Sequence, residues 1–416
     1  MSASIVNGAG EHALVSGGVV HPRGFRVASC ALQPEGGAAL LLADNGRVPA
    51  AGVFTQCKVR AAPVQLSASA LARSGGHARA VLLNRGQANA ATGQVGVDDA
   101  QSCVHAVASE LACEHDDVLL QSTGVIGSRI DAPQLAETVP ELVSSLTSEP
   151  SSSFAAADII RTTDTISKEA AVTTQAGELG EVRVGGIAKG SGMIHPNMGT
   201  MLSVITCDAA VEPRSWQSML KRAVNLSFNQ VTVDGCTSTN DTVMALAGGE
   251  VSSLDDKEGA KLQDALTAVC TALAKSIAWD GEGAGVMVEV IARNGRTGSE
   301  ARAAARAVAE SHLVKAAVHG RDANWGRVVA AAGNAGVAMD QAAIGTRMAG
   351  YTLLEKGNVT ATAERESAVA RAIRSAFVDR NTVTIEVDLA AGKSSGMAWT
   401  CDLSAEYVSI NADYRS

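Results

Sequence analysis

Short apolar runs alternate with longer amphipathic segments from one end of this chain to the other. In the first half the strand-like runs end in glycine or another turn residue, and they cover residues 38–44, 79–86, 117–124 and 181–190. Segments with helical periodicity lie between them, including one at 98–113, where Asp98 and Asp99 suit a helix N-terminus. Because a sheet buries its apolar face under helices, this alternation predicts an α/β (α+β) fold.

The second half of the chain repeats the alternation and closes with a predicted hairpin. We expect strands at 200–209 and 285–295, and helices at 214–228, 258–277, 299–317 and 366–378. One face of the helix at 258–277 is apolar, and it carries Leu262, Leu266, Val269, Leu273 and Ile277. The pattern also predicts a hairpin over 381–414, with its turn at Gly392 and Lys393, and a linker at 146–158.

Composition and charge narrow the class of partner. The 416 residues suffice for a two-lobed unit with an ample core, and the aromatic content of 3% leaves Ala, Val and Leu to fill it. A formal net charge of −9 argues against a nucleic-acid or anionic-membrane surface, so a small polar substrate is expected. The first residues lack a signal-peptide pattern, and no apolar run reaches the roughly 18 residues of a membrane span. We therefore expect a cytoplasmic protein.

The cysteines indicate a reduced protein without a resident metal. Eight cysteines are scattered along the chain and none forms a CxxC pair, so buried free thiols are predicted. Two C-x-H pairs, Cys103 with His105 and Cys113 with His115, invite a zinc interpretation. The helical spacing of the apolar residues between them favours a helix instead. No metal and no cofactor are predicted.

The stretch "KGSGMIHPNMGTMLSVITCDA" (189–209) places Thr200 between Gly199 and an apolar strand. A connecting loop followed by a β-forming threonine explains this pattern in structural terms. A chemical alternative is that the Thr200 hydroxyl attacks the Gly199 carbonyl, so that the chain cuts itself and Thr200 becomes a new N-terminus. Its α-amine, with an ordinary pKa near 8, then accepts the hydroxyl proton, and one residue supplies both nucleophile and base. The pattern alone leaves both interpretations open.

Motifs along nearly the whole chain resemble those of the bifunctional ornithine acetyltransferase / glutamate N-acetyltransferase family of arginine biosynthesis. Besides the Thr200 block they include "NRGQANAATG" (84–93), "QSTGVIG" (121–127), "RTTDTISKEA" (161–170), "TVDGCTSTNDTV" (232–243), "DGEGA" (280–284), "GRDANWGRV" (320–328) and "YVSINADYRS" (407–416). The resemblance implies an αββα layered sandwich with a self-cleaving N-terminal threonine, cut into fragments 1–199 and 200–416. Two copies of each fragment are expected to form a hetero-tetramer.

The resemblance also implies the site residues. Thr200 is expected to be the nucleophile, and Thr123 and Gly124 of "STG" the oxyanion hole, a role suited to donors held at a strand end. Substrate contacts are expected from Thr200 itself and from Thr163, Lys189, Glu282, Asn411 and Ser416. Thr163 is chosen over its neighbours Thr162 and Thr165. Lys189 is expected to pair with the substrate carboxylate and Glu282 to accept its other polar end.

Three positions depart from the family pattern: Gly199 stands where alanine is common, Arg85 where serine is frequent, and Ser416 where threonine is frequent. Glycine still permits cleavage, Ser416 keeps a hydroxyl, and the role of the Arg85 loop is open.

The implied reaction is acetyl transfer from N2-acetylornithine through Thr200 to glutamate, and whether acetyl-CoA also supplies acetyl groups is open. The alternatives are a related N-terminal-nucleophile amidase or aminopeptidase, which transfers the acyl group to water, and an uncleaved binding or assembly protein.

Overall fold

The computed structural model describes residues 12–177, 180–195, 201–249 and 256–413. These residues divide into two compact units. The larger unit runs to residue 229 and resumes at 236–274, and the smaller one holds 230–235 and 275–413. This division does not coincide with the predicted fragments 1–199 and 200–416, because the larger unit takes residues from both sides of position 200.

The described residues of the larger unit form two sheets and six α-helices. Its strands are β1 Leu14–Val15, β2 Phe25–Leu32, β3 Gly36–Ala43, β4 Val48–Phe54, β5 His77–Ala78, β6 Ala80–Gln87, β7 Val118–Val125, β8 Lys168–Gln175, β9 Glu181–Lys189, β10 Leu202–Cys207 and β11 Thr242–Ala247. Its helices are α1 Ala62–Arg73, α2 Gly93–Glu110, α3 Ala132–Ser144, α4 Pro150–Ile159, α5 Pro213–Leu226 and α6 Asp256–Trp279, of which residues 275–279 belong to the smaller unit. One sheet has seven strands in the order β1-β8-β9-β10-β11-β4-β5, and the other has four in the order β2-β3-β6-β7.

Apolar side chains on alternate positions fill the space between these sheets. Leu41 and Leu83 of the four-stranded sheet share a cluster with Ile187 and Val204 of the seven-stranded sheet. The opposite face of the four-stranded sheet packs on α2 and α3. On the far face of the seven-stranded sheet α5 contacts β4 and β11, and Leu273 of α6 lies against Gly186. The predicted sandwich of helices, sheet, sheet and helices is confirmed in this unit.

The smaller unit is one sheet packed with helices. Its strands are β12 Met287–Gly295, β13 Gly345–Met348, β14 Tyr351–Glu355, β15 Asn358–Val359, β16 Thr382–Asp388 and β17 Ser394–Cys401, in the order β15-β14-β13-β16-β12-β17. Its helices are α7 Gly298–Glu310, α8 His312–His319, α9 Trp325–Gly333, α10 Ala363–Asp379 and α11 Ala405–Asp413. Alternate residues of β12 (Val288, Val290 and Ala292) face a core of alanine and valine from α7 and its neighbours.

The predicted hairpin over 381–414 is wrong. Its two strands, β16 and β17, do not pair with each other, because β12 lies between them, parallel to β16 and antiparallel to β17. The segment after β17 forms α11 rather than a strand end. The alternating pattern identified both strands correctly, but β12 is more than 85 residues earlier in the chain and no local signal names it as the partner.

Three other boundaries differ from the pattern. The linker expected at 146–158 is wrong: Pro150 at the first turn starts α4, whose Ser153, Ala156 and Ala157 are buried. The helix expected at 98–113 begins five residues earlier, at Gly93, so Asp98 and Asp99 lie inside it. The helix expected at 299–317 is two helices, because the Ser311 hydroxyl accepts a hydrogen bond from Val314 N–H and caps α8. Helix α6 matches its prediction, with all five predicted face residues buried.

All eight cysteines are free thiols. Cys103 is buried inside α2, and the rings of His105 and His115 stack with their centroids 3.8 Å apart. In the described part of the chain, no group of three or more His, Cys, Asp or Glu side chains is placed to hold a metal ion.

Candidate active site

Three strand ends meet at one edge of the seven-stranded sheet. Lys189 ends β9 and pairs with Leu202, which starts β10. Leu202 in turn pairs with Thr242, which starts the parallel strand β11. Gly199 and Thr200 lie outside the described residues, but Thr200 is bonded to Met201, the residue directly before β10. The described strand ends therefore define the surroundings of Met201.

Asp241 holds the backbone at this edge. Its Oδ1 atom accepts a hydrogen bond of 2.9 Å from Met201 N–H, and Thr242 N–H donates to the Met201 carbonyl at 3.0 Å. The carboxyl group is fully buried, and this burial raises its pKa well above the ordinary value, more than the hydrogen bond from Met201 lowers it. Asp241 was not predicted from the sequence. Its sequence signal is an acidic residue directly before a strand that is apolar after its first residue, Thr242.

Two buried amides join the end of β7 to the same edge. Gln121 Nε2 donates to the carbonyls of Ser203 and Thr242, at 3.0 and 3.3 Å. Asn240 Nδ2 donates to the Ser122 carbonyl at 2.8 Å. Because Thr123 follows Ser122 directly, the predicted oxyanion-hole segment lies at the same end of the sandwich as Met201.

Thr123 and Gly124 have the properties that hydrogen-bond donors at a reaction site need. Thr123 is 3% exposed, and no hydrogen bond joins its hydroxyl to any of the described residues. Gly124 has φ +132°, and a Cβ atom added there would lie 2.3 Å from the Gly86 carbonyl. Only glycine fits this close approach of β6 and β7. The packing of two strands therefore fixes the backbone at Gly124.

Arg85 connects this segment with the loop before β8, which carries the threonines of the "RTTDTISKEA" motif (161–170). Arg85 pairs with Thr123 in the parallel register of β6 and β7. Its guanidinium donates to the Gly36 carbonyl at 3.0 Å and to the Arg161 carbonyl at 3.3 Å. A serine side chain at this position would be too short to reach both carbonyls. Arg85, which lies in β6, therefore supports the backbone directly before Thr162.

Lys189 is buried beside Thr162 and Asp164. Its Nζ atom donates to Thr162 Oγ1 at 2.7 Å and lies 3.7 Å from Asp164 Oδ2. Thr163 Oγ1 lies 3.1 Å from Ser191 Oγ, so its hydroxyl is held over the turn that follows Lys189. The structure thus brings Thr163 and Lys189 together, and it adds Thr162 as the hydrogen-bond partner of the lysine.

Asp164 and Lys168 form a buried ion pair behind this group, with Nζ and Oδ1 2.7 Å apart and both side chains fully buried. Burial alone would raise the pKa of Asp164, but Lys168, Lys189 and the Gly190 N–H together lower it below the ordinary range. Neither residue was predicted from the sequence. An acidic and a basic residue four positions apart beside a buried strand are their only signal.

Glu282 and Asn411 contact each other in the smaller unit. Asn411 Nδ2, on α11, donates to Glu282 Oε2 at 2.7 Å, and Glu282 is 7% exposed. Gly283, with φ +67°, lies against the backbone of Glu406 and Tyr407 at the start of the same helix. Two of the predicted substrate contacts are therefore neighbours. Ser416 lies outside the described residues.

Asp241→Asn should change how stability depends on pH. Above about pH 4 the unfolded chain releases the Asp241 proton while the folded chain keeps it, so the free energy of unfolding falls as pH rises towards the folded pKa. Asparagine does not ionise, so the variant should gain stability relative to wild type by roughly 1.4 kcal/mol per pH unit within this window. Urea unfolding between pH 4 and pH 8 measures the difference.

The same substitution at Asp164 is the matched control, because the pKa of that carboxyl is lowered. Asp164→Asn should therefore lose stability relative to wild type as pH rises towards about 4, and the loss should stay constant above that pH. Identical pH dependence in Asp241→Asn and wild type would show that Asp241 is ionised in the folded chain.

In the described residues no helix has the length and apolar character needed to cross a bilayer.

Comparisons with known proteins match nearly the whole chain to one family. The model of the ArgJ family matches residues 25–416. The arginine biosynthesis bifunctional protein ArgJ of a Synechococcus strain is 46% identical, over 96% of this chain and 98% of its own length. The chloroplastic arginine biosynthesis bifunctional protein ArgJ of Physcomitrium patens is also 46% identical, over 99% of this chain and 80% of its own length.

Two solved structures also match parts of the chain. The arginine biosynthesis bifunctional protein ArgJ of Bacillus halodurans is 36% identical with a TM-score of 0.46, covering 50% of this chain and 97% of that chain. The ornithine acetyltransferase of Mycobacterium tuberculosis, solved with ornithine, is 35% identical with a TM-score of 0.41, covering 44% of this chain and 98% of that chain.

Proposed function

Because the chain belongs to the ArgJ family, we propose that it transfers an acetyl group from N2-acetylornithine to glutamate, giving ornithine and N-acetylglutamate. This is a step of arginine biosynthesis. The observation that carries the proposal is the meeting of Lys189, Met201, Asp241 and the Thr123 segment at one end of the larger unit. A nucleophile at position 200 would lie beside a buried cation and beside fixed hydrogen-bond donors.

The proposed activation step is self-cleavage. Thr200 Oγ attacks the Gly199 carbonyl carbon, the C–N bond breaks, and the nitrogen takes a proton to become the free amine. Water then hydrolyses the ester, which leaves a carboxylate on Gly199 and a free hydroxyl on Thr200. Strands β9 and β10, on either side of the cut, pair along Val184–Lys189 and Leu202–Cys207, so the sheet keeps the two fragments together.

The proposed transfer has two stages. The Thr200 amine takes the hydroxyl proton, and the oxygen attacks the acetyl carbon of N2-acetylornithine. The oxyanion that forms accepts hydrogen bonds from the Thr123 hydroxyl and the Gly124 N–H, the C–N bond breaks, and ornithine leaves with the proton. The α-amine of glutamate then attacks the acetyl-Thr200 ester and leaves as N-acetylglutamate. An ester intermediate conserves the acetyl group between the two amines.

For binding, we propose that Lys189 pairs with a substrate carboxylate and that Thr163 contributes a hydroxyl. Glu282, Asn411 and Ser416 are proposed as contacts for the polar end of the substrate. The hetero-tetramer of cleaved fragments, the cytoplasmic location and the use of acetyl-CoA as a second acetyl donor stay predictions from the family resemblance. The bifunctional name of the relatives supports a test of acetyl-CoA beside acetylornithine.

The test uses N2-acetylornithine that carries an isotope label in its acetyl group. With glutamate present, label should appear in N-acetylglutamate in equal amount to the ornithine released. Without glutamate, the fragment that begins at Thr200 should gain the mass of one acetyl group, and added ornithine should remove it. Release of free acetate without N-acetylglutamate would favour the amidase alternative, and absence of any reaction would favour a binding protein.

A further inference from the structure

One carboxylate joins the two chain segments that carry Lys189 and Thr163. Asp164 Oδ1 accepts hydrogen bonds from Lys168 Nζ at 2.7 Å and from Gly190 N–H at 2.6 Å. Asp164 Oδ2 accepts from Thr162 N–H at 3.1 Å and lies 3.7 Å from Lys189 Nζ. These contacts connect the loop before β8 with the turn after β9, which are more than 20 residues apart in sequence.

Lys168 and Lys189 lie beside different oxygens of the Asp164 carboxylate. Lys168 makes the short contact of 2.7 Å and is fully buried, whereas Lys189 lies 3.7 Å away and hydrogen-bonds Thr162 Oγ1 instead. Gly190, with φ +151°, turns the chain so that its N–H points at Asp164. The position of the Lys189 ammonium is therefore set by both its own hydrogen bond and the charge on Asp164.

A buried ion pair of this kind is weak evidence for a stabilising role, because removing two charges from water costs about as much as their attraction returns. Its geometric effect is better defined. Loss of the Asp164 charge would release Gly190 N–H, Thr162 N–H and the Lys189 ammonium together, and all three adjoin proposed substrate contacts.

We propose that Asp164, held by Lys168, is a positioning residue that places Lys189 and Thr163 to receive a carboxylate-bearing acyl donor. The inference rests on the proposed function, because Lys189 has to meet a substrate carboxylate for Asp164 to matter to the reaction. It predicts an effect on the recognition of the donor that is separate from the chemistry at Thr200.

The test compares two acyl donors in Asp164→Asn. N2-acetylornithine carries a carboxylate, whereas p-nitrophenyl acetate has none and needs only the nucleophile and the oxyanion hole. The ratio of kcat/KM for acetylornithine to kcat/KM for p-nitrophenyl acetate should fall by roughly 10- to 100-fold, mainly through KM, because misplacing a binding group by about 1 Å has effects of that size. A purely structural role would lower both values together.

The matched control is Asp158→Asn, which makes the same change at an exposed carboxylate that pairs with Arg161 at 2.8 Å. Its ratio should equal that of wild type. In a Lys189→Met background, Asp164→Asn should cause a smaller fall in the ratio than in wild type, since only Thr163 is then left for Asp164 to place.

If Asp164→Asn fails to fold, Lys168→Met gives the second measurement. Without Lys168, Asp164 should draw the Lys189 ammonium closer, and the ratio should again fall. An unchanged ratio in whichever variant folds overturns the inference and leaves the proposed function standing. A wild-type protein that transfers acetyl from neither donor overturns the proposed function, and this inference with it.

Discussion

Thr200→Ala is expected to remain one chain of 416 residues and to transfer no acetyl group. Without the hydroxyl there is no nucleophile to attack Gly199, no free amine to act as base, and no oxygen to carry the acetyl group. Removal of a catalytic nucleophile commonly lowers kcat by about 10⁶-fold, which would place the variant below detection here. Denaturing electrophoresis and the labelled-acetyl assay measure both effects on the same preparation, in which wild type should give fragments 1–199 and 200–416.

Thr200→Ser is the matched control for this variant. Serine keeps the hydroxyl and loses only a methyl group, so the chain should still cut itself and retain measurable transfer. A continuous wild-type chain with full activity would contradict the proposed mechanism. A wild-type protein that is cleaved but inactive would instead show that self-cleavage occurs without this acetyl transfer. It would favour an acyl acceptor other than glutamate.

Elements with a strong local pattern were predictable from the sequence. The apolar face of α6, from Leu262 to Ile277, repeats at helical spacing for about four turns, and it is buried as predicted. Strands β3, β6, β7 and β9 also agree with the apolar runs predicted at 38–44, 79–86, 117–124 and 181–190. Pairing was not predictable where the partner is distant, as for β16 and β17, because β12 separates two neighbours that a hairpin pattern would join. Short local signals such as the cap at Ser311 were likewise outweighed by the longer alanine-rich pattern around them.

The site shows the same division. The family motifs named Lys189 and Thr163, and the structure places them together around the turn that contains Ser191. Asp164 and Asp241 were not singled out, because their importance comes from contacts to Gly190 and Met201, residues 26 and 40 positions away. From sequence alone, an acidic residue is normally interpreted as a surface charge, because its backbone hydrogen-bond partners are unknown. Their weak sequence signals gain meaning from the burial and hydrogen bonding of both residues in the folded chain.

Thr123→Val is expected to lower kcat for acetyl transfer by about 10²- to 10³-fold in fully cleaved enzyme. Valine matches the shape of threonine at this buried position, so the substitution removes the hydroxyl donor with little change in packing. The ground-state carbonyl depends less on this donor than the oxyanion does, so KM should change little while kcat falls. The Gly124 N–H remains and should preserve residual transfer. Steady-state kinetics with N2-acetylornithine and glutamate measure the split.

Thr123→Ser is the control that keeps the hydroxyl, and its kcat should stay within about tenfold of wild type because the donor is retained. Gly124→Ala is unsuitable as a test of the second donor, since its Cβ atom would lie 2.3 Å from the Gly86 carbonyl and force β6 and β7 apart. The fall in kcat of Thr123→Val should also appear with p-nitrophenyl acetate, because the reactions of both acetyl esters and acetyl amides with Thr200 pass through a tetrahedral oxyanion. Equal kcat values in Thr123→Val and wild type would remove this hydroxyl from the oxyanion hole and leave Thr123 as a strand residue.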